Sequence, residues 1–517
     1  MKQYYLGIDI GTTSTKAIVF DKEGRIVSKS VVEYPIYSPK QNHREQNPDE
    51  ILKAVINTLE DSIKKAGING EDLKFIAFSS MMHSIIAVDS DGNPLTPCII
   101  WNDNRSVPYV DKFKRNGKGR EIYLRTGTPT HPMSPLYKLM WLKDNKPEIY
   151  NKAYKFVSIK EYIFYKFFKE YIVDYSVASA TGMFNIFDLQ WDNDVLKLLE
   201  LDESKLSKPV STTYIINGLD DDICKKTGLS KQSRFVVGAS DGCLANLGSN
   251  AITSGAAVAT IGTSGAVRVV FDKPVTDKKE RVFCYYLYNN KYVVGGAINN
   301  GGVVYRWFRD EFSEAEKEQA KKLNIDPYVL LNEKIKNTEP GSNGLLFLPF
   351  LTGERAPYWN ANLRGAYIGI SDGHSRNHFA RALMEGICYD MNDVFNAIKD
   401  LVGEVKCIYA NGGFTRSQEW LQILCDIFDI NVVVSENYES SCIGAVMLGM
   451  LAVGEVEKLE QCSYLVKENR MFKPNEETTQ VYKNLYDLYK QSIESLTIIL
   501  EKISNFQNNQ NKRNEEI

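Results

Sequence analysis

The chain has 517 residues, more than the roughly 250 to 300 at which one hydrophobic core stops growing, so at least two domains are expected. Its composition, 43% hydrophobic and 25% charged, is that of a folded globular protein. With 62 basic and 65 acidic residues, the formal net charge of -3 provides no bulk field for nucleic acid or an anionic membrane, which leaves a small molecule as the default partner.

The chain starts Met1-Lys2-Gln3-Tyr4-Tyr5 and runs straight into strand-forming residues, without an apolar signal core. No stretch of about 18 uncharged apolar residues follows, so a cytoplasmic protein is expected. The first strand, from Tyr4 to Ile8, ends at Asp9 and leads into the loop Asp9-Ile10-Gly11-Thr12-Thr13-Ser14. Ala17 to Phe20 resumes the strand pattern, a turn follows at Asp21 to Gly24, and Ile26 to Val32 gives a third run. Ile51 to Ala66 has helical periodicity, Phe75 to Ser79 reads as a strand, and the apolar run Phe235 to Gly238 leads into Ala239-Ser240-Asp241-Gly242.

The same unit then recurs: Ala256 to Ile261, the loop Thr260-Ile261-Gly262-Thr263-Ser264-Gly265, Ala266 to Phe271, Arg281 to Tyr288, and Tyr292 into Gly295-Gly296. Repetition of a whole supersecondary unit is a far stronger signal than one glycine-containing loop. Further on, His378 to Val394 reads as a helix, Lys406 to Tyr409 as a strand ending at Asn411-Gly412-Gly413, and Glu419 to Phe428 as a helix. Ser441 to Leu451 looks like a closely packed helix capped by Ser440 or Ser441. Strands alternating with helices predict an α/β fold, with a domain boundary between residues 245 and 255. The polar stretch from Asn505 to Ile517 is expected to be frayed or disordered. The nine cysteines are scattered without a CxxC pair, which fits free thiols better than zinc ligands or disulfides.

Phosphate oxygens need converging donors, and glycine lets backbone N–H groups approach the anion while threonine and serine hydroxyls add more. Both loops supply that set through Gly11, Thr12 and Thr13 and through Gly262 and Thr263. No GxxxxGK[ST] sequence occurs and each loop leads into a strand, so a P-loop is disfavoured and a hairpin phosphate clamp remains. Asp9, at a strand tip beside the first loop, is placed to hold Mg²⁺ directly or through water, with turn capping as its structural alternative. Asp241, set among small residues, is a candidate general base for transfer of a γ-phosphoryl group to an alcohol; an Asx-turn is the alternative.

At this point the chain resembles the FGGY family of carbohydrate kinases, over essentially its whole length from Gly7 to about Gly454. Met133-Ser134-Pro135-Leu136-Tyr137-Lys138-Leu139-Met140-Trp141-Leu142-Lys143-Asp144-Asn145 is similar to the first family signature. Gly365 to Ile370, followed by His378-Phe379-Ala380-Arg381-Ala382-Leu383-Met384-Glu385, is similar to the second. The resemblance implies two RNase H-like domains of the actin-like ATPase and hexokinase type flanking a deep cleft. It places an N-terminal domain at residues 1–248, a C-terminal domain at 249–500 and a polar tail at 501–517. It also implies ATP and Mg²⁺ as cofactors, and a homodimer as the assembly to expect.

Position by position, Thr12 and Thr13 match the first phosphate loop, Gly262 and Thr263 the second, and Asp241 the catalytic base. Gly412 and Gly413 match the glycines against which adenosine lies, with Asn411 and Arg416 as base or ribose contacts and Asn300-Gly301-Gly302 as a looser part of the same pocket. Within the family the chain resembles the gluconate kinases through Ser79 to Ser84, Trp101 to Arg105, Thr126 to Pro135 and Gly353 to Pro357, while Met82-His83 also resembles xylulose kinases. A residue smaller than in xylulose kinases, Gly242, follows the base, so the sugar contacts there must differ.

A linear sugar acid needs polar groups along a groove and a cation at its acid end. Met82, His83, Asp103, Arg105 and His131 are the candidates, with Arg105 either gripping the carboxylate or pairing with Asp103. The spacing of Lys138 and Trp141 is close to one helical turn and points to packing. Glu354-Arg355 reads as a structural ion pair in preference to a brace for the cleft. Alternative acceptors are other polyols or ketoses, such as xylulose, ribulose and glycerol; a non-metabolic actin-like ATPase and a catalytically silent sugar sensor are the more distant alternatives.

Overall fold

The computed structural model describes residues 3–435 and 439–515. The chain divides into two compact units, Met1–Ser254 with Val270–Val294 and Glu439–Lys467, and Gly255–Val269 with Gly295–Tyr438 and Glu468–Ile517. The units are therefore not consecutive halves, because a late segment of the chain returns to the first.

The first unit is built on β1 (Tyr4–Ile10), β2 (Ser14–Phe20), β3 (Ile26–Glu33), β4 (Leu73–Ser80), β5 (Ile215–Ile216) and β6 (Phe235–Ser240). They form one sheet in the order β5-β6-β4-β1-β2-β3. β1, β2 and β3 are antiparallel neighbours, β4 lies parallel to β1, and β6 lies parallel to β4. The two-residue period sends Leu6, Ile8 and Ile10 to one face and Tyr5 to the other, so both faces must be covered. Burying each such aliphatic side chain contributes about 1.5–3 kcal/mol.

One face packs on α1 (Pro48–Ala66), whose Ile51, Ala54, Val55, Leu59 and Ile63 fall on a single helical stripe. Asn47 accepts from Asp49 N–H at its start and Gly67, in the left-handed region, ends it. Also in this unit are α2 (Pro135–Asn145), α3 (Ile159–Phe168) and α4 (Asp241–Leu247).

The second sheet takes β7 (Ala256–Ile261), β8 (Gly265–Phe271), β9 (Phe283–Tyr288), β10 (Lys291–Ile298), β11 (Cys407–Asn411), β12 (Val432–Ser435) and β13 (Glu468–Phe472) in the order β9-β10-β8-β7-β11-β12-β13. β7 and β8 are antiparallel, β11 is parallel to β7, β12 is parallel to β11, and β13 is antiparallel to β12. The winding repeats that of the first sheet, a hairpin, two parallel strands and an antiparallel edge, with a seventh strand, β9, added at the opposite edge. The internal repeat of the sequence is thus a repeat of topology.

The second unit adds α5 (Gly302–Phe312), α6 (Pro327–Lys336), α7 (Arg376–Val402) and α8 (Gln418–Phe428). α9 (Ser440–Ala452) belongs to the first unit, where it covers the opposite face of that sheet from α1. Its N-cap is Glu439, not Ser440 or Ser441, because the helix starts one residue earlier than its apolar pattern.

The final helix, α10 (Glu476–Glu515), runs through much of the stretch expected to be disordered. Composition misled at the start of that stretch because tertiary contacts hold it: Arg364 donates to Gln507, and Ser504, just before the stretch, is buried and bonds Asn362. Residues 516 and 517 of that stretch, and Met1 and Lys2 at the start, lie outside the described residues. All nine cysteines are free thiols. Among the described residues, no helix is long and apolar enough to cross a membrane.

Candidate active site

The first glycine-threonine loop is the tip of the β1–β2 hairpin. Gly11 spends its own amide on the turn, donating to Ser14 O at 3.0 Å, so it shapes the loop and the donors are its neighbours. Among the described residues the N–H groups of Thr12 and Thr13 bond to nothing. Their carbonyls are held from behind: Gln46 Nε2 donates to Thr12 O at 2.7 Å and Tyr34 N–H to Thr13 O at 3.1 Å. Trp101 Nε1 donates to Thr12 Oγ1 at 3.0 Å, which fixes that hydroxyl. The result is a pair of amides presented outward on a loop that cannot sag, the arrangement that suits an anion.

The second loop, at the tip of the β7–β8 hairpin, has the same construction. Gly262 N–H closes the turn onto Ser264 O at 2.9 Å, leaving the amides of Thr263 and Ser264 without partners among the described residues. The N-terminus of α5 props it, with Gly302 N–H on Gly262 O at 2.8 Å and Val303 N–H on Thr263 O at 3.0 Å. Beside it lies a cavity of about 490 Å³ lined by Gly262, Thr263, Gly302, Gly413 and Arg416. Gly412 sits behind that lining with φ 103°, and a Cβ there would meet Ile261 O at 2.4 Å, so no other residue fits. Asn300, by contrast, is fully buried and turned away, donating to Gly353 O and Glu354 Oε2 at 2.7 Å each.

Sequence reading missed the far wall of the cavity: Tyr305, Asp326, Tyr328, Asn332 and Trp420. Asp326 caps α6 by accepting from Tyr328 N–H, and Tyr305 Oη bonds Asn332 Oδ1 at 2.9 Å. These residues come from three helices with no shared spacing, so only the Asp326-Pro327 cap signal was readable beforehand.

Asp9 accepts from Ser79 Oγ at 2.7 Å through Oδ1, while Oδ2 accepts no hydrogen bond among the described residues. Burial raises its pKa, opposed by the Ser79 bond and the Lys16 charge. Asp241 opens α4 directly after β6, where Gly242 N–H donates to its Oδ1 at 2.6 Å. The turn that aims it begins at Gly238, whose φ of +69° breaks the register between Val236 and Ala239. A Cβ at Gly238 would lie 1.8 Å from Phe78 O.

The candidate acceptor residues fall into two groups. His83, with φ +67°, is buried, and its Nδ1–H donates to Ala180 O at 2.7 Å. Met82 packs at the edge of the core beside it. His131 Nδ1 accepts Met133 N–H at 3.1 Å, which fixes the tautomer with hydrogen on Nε2.

Asp103 is fully buried and both oxygens are occupied: Oδ1 by Arg105 N–H and Nε, Oδ2 by Arg44 N–H and Arg105 Nη2. As a direct substrate contact it is corrected, since no face of its carboxylate is open; it orients Arg105. The Arg105 guanidinium also pairs with Glu45 and lies 4.9 Å from the Trp141 ring centre. Of its nitrogens, Nη1 donates to nothing among the described residues, so one N–H pair remains for an anion. Glu354 does not form the simple pair with Arg355 expected from sequence: it accepts Arg355 backbone N–H and Asn300 Nδ2, and lies beside Asp390.

Two sheets of the same winding, each opening with a hairpin that presents amides at its tip, are the fold of sugar kinases with actin-like ATPase architecture. The chain belongs to the FGGY family of carbohydrate kinases, matching the family's N-terminal domain over residues 4–248 and its C-terminal domain over residues 257–453. It is therefore a phosphotransferase with ATP as its phosphoryl donor. It is 47% identical over 490 residues to a gluconokinase of Bacillus subtilis (strain 168), covering 95% of each chain. Among solved structures, it is similar to a gluconate kinase from Lactobacillus acidophilus, with 33% identity and a TM-score of 0.92 over 97% of this chain and 100% of that one. A ligand-bound xylulose kinase from the same organism gives the same identity, score and coverage.

Proposed function

We propose that the protein transfers the γ-phosphoryl group of ATP to the terminal hydroxyl of D-gluconate, giving 6-phosphogluconate and ADP. The observation that carries the choice of acceptor is the 47% identity to a gluconokinase across 95% of both chains. The arginine at position 105, with one open N–H pair on a braced guanidinium, supports an acid at one end of the acceptor.

Asp241 accepts the hydroxyl proton on its carboxylate as the oxygen attacks the γ-phosphorus, and the bond from that phosphorus to the β–γ bridging oxygen breaks, releasing ADP. The amides of Thr12 and Thr13 in one unit, and those of Thr263 and Ser264 in the other, are each pre-set for phosphate oxygens, so no reorganisation of either loop accompanies the build-up of charge. The cavity beside Gly302, Gly413 and Arg416 takes the nucleoside. Met82, His83, Arg105 and His131 contact the acceptor, with Asp103 holding Arg105.

The open oxygen of Asp9 fits an ion that keeps most of its waters and takes a single protein carboxylate, as Mg²⁺ does. Bound there, Mg²⁺ would neutralise charge on the phosphates.

The test is a coupled ADP-release assay over gluconate, xylulose, ribulose and glycerol, with the product identified by mass. Gluconate should show the highest kcat/KM. A higher value for any ketose or polyol would displace the assignment within the family, and ADP release indifferent to all four would remove it.

A further inference from the structure

Lys138, on α2, is completely buried, and its Nζ donates to two backbone carbonyls, His83 O at 2.7 Å and Ile100 O at 2.8 Å. No carboxylate hydrogen-bonds to it among the described residues. Removing an ammonium from water without a direct counter-ion costs several kcal/mol, and an apolar side chain of similar length would pack the same space without that cost. What lysine provides and leucine or methionine cannot is the pair of hydrogen bonds.

The two carbonyls belong to separate turns. His83 is held in a left-handed conformation after β4, and Ile100 immediately precedes the loop that carries Trp101, Asp103 and Arg105. That loop is also braced by Arg44, which bonds both Ile100 N–H and Asp103, and by Asn42, which accepts Asn104 N–H. The strand segments beside the two turns are paired through Ile85 and Ile99, each N–H donating to the other's carbonyl at 3.0 Å. Beyond that pairing, Lys138 is the side-chain link that joins the carbonyls of the turns themselves.

We infer that Lys138 is a positioning residue for the acceptor: its single nitrogen ties the His83 turn to the 100–105 loop and so sets the distance between the two halves of the acceptor site. The inference rests on the reading that these two loops receive the acceptor. Burial lowers the Lys138 pKa to about 7, with Asp103 and Cys98 raising it and Arg105 lowering it further. A neutral amine still has two N–H donors for two carbonyls, so both tethers survive loss of the proton. Acceptor affinity should therefore depend on which donors the side chain carries and not on its charge.

Lys138→Met and Lys138→Gln are compared with the wild type, using whichever acceptor the wild type turns over best. Met is expected to raise the acceptor KM by roughly tenfold or more, the scale of a small misplacement of contacts, and to leave the ATP KM within about twofold. Gln, which keeps one donor group, should fall between Met and the wild type. Combined with His83→Ala, which keeps the backbone carbonyl but removes one of the groups being positioned, Lys138→Met should still raise the acceptor KM through the 100–105 loop, by less than it does alone.

Equal effects on both KM values, full additivity with His83→Ala, or failure of both variants to fold would each overturn the inference, the last because it would make Lys138 a requirement of the core. The wild-type assay reads the choice of acceptor and the variant-to-wild-type ratio reads the tether, so the two can fail separately.

Discussion

Gly238→Ala should unseat the candidate base without touching any residue that meets a ligand. The glycine has φ +69°, a conformation that costs an L-residue about 1–2 kcal/mol, and its new Cβ would lie 1.8 Å from Phe78 O on the neighbouring strand. Neither atom is the end of a flexible side chain, so β6 or β4 must move by more than an ångström, and overpacking of that kind costs a further 1–3 kcal/mol or so. The combined destabilisation of about 2–5 kcal/mol corresponds to a fall in Tm of roughly 5–15 °C. Because β6 leads directly into Asp241, a shift of about 1 Å there should also lower kcat on the order of 100-fold. Calorimetry and the ADP-release assay measure the two effects on the same sample. A variant that melts and turns over like the wild type would refute the claim that the bulge at Gly238 aims the base.

Two further substitutions test electrostatics. Among the described residues no N–H or hydroxyl donor reaches either oxygen of the fully buried Asp390, which faces the Glu354 carboxyl, and burial together with the Glu354 charge raises its pKa well above the usual carboxylate range. The unfolded chain then loses this proton at lower pH than the folded one, so the group's contribution to stability is complete below about pH 4 and fades as pH rises toward the folded value. Asp390→Asn should therefore melt above the wild type at pH 8, with the gap closing toward pH 4; a gap of constant size or opposite sign contradicts the assignment of the proton. Arg105→Ala should raise the gluconate KM more than the ATP KM and also lower Tm, since it leaves Asp103 buried with its main partner gone. Equal rises in both KM values would limit Arg105 to loop structure.

Much of the fold was legible because it is encoded locally. The two hairpins announce themselves through strand-forming runs on either side of a glycine-threonine turn, and the alternation of strands with helices gave the α/β class before any contact was known. The two glycine-threonine turns proposed to hold phosphate were legible as turns for the same reason, although which amides they expose was not: Gly11 and Gly262 consume their own N–H groups in the turn, which sequence cannot show.

Long-range relations were the harder part. Asp103 looked like a substrate contact because nothing in its neighbourhood reveals that Arg44 reaches it. Lys138 looked like packing because helical spacing says nothing about the carbonyls of residues 83 and 100. The cavity beside Gly302 and Gly413 draws on three helices whose convergence depends on the sheet between them, and the order of α10 depends on partners more than a hundred residues away.

In the proposed reaction Asp241 takes the proton from the acceptor hydroxyl as the phosphoryl group is transferred. Asp241→Asn preserves size and removes the base, so its steady-state turnover should be measured alongside calorimetric affinities for ATP and gluconate. Loss of the base should lower kcat about 10²–10⁴-fold with both affinities within a few-fold of wild type. Turnover close to wild type, or loss of nucleotide binding in step with turnover, would contradict that role.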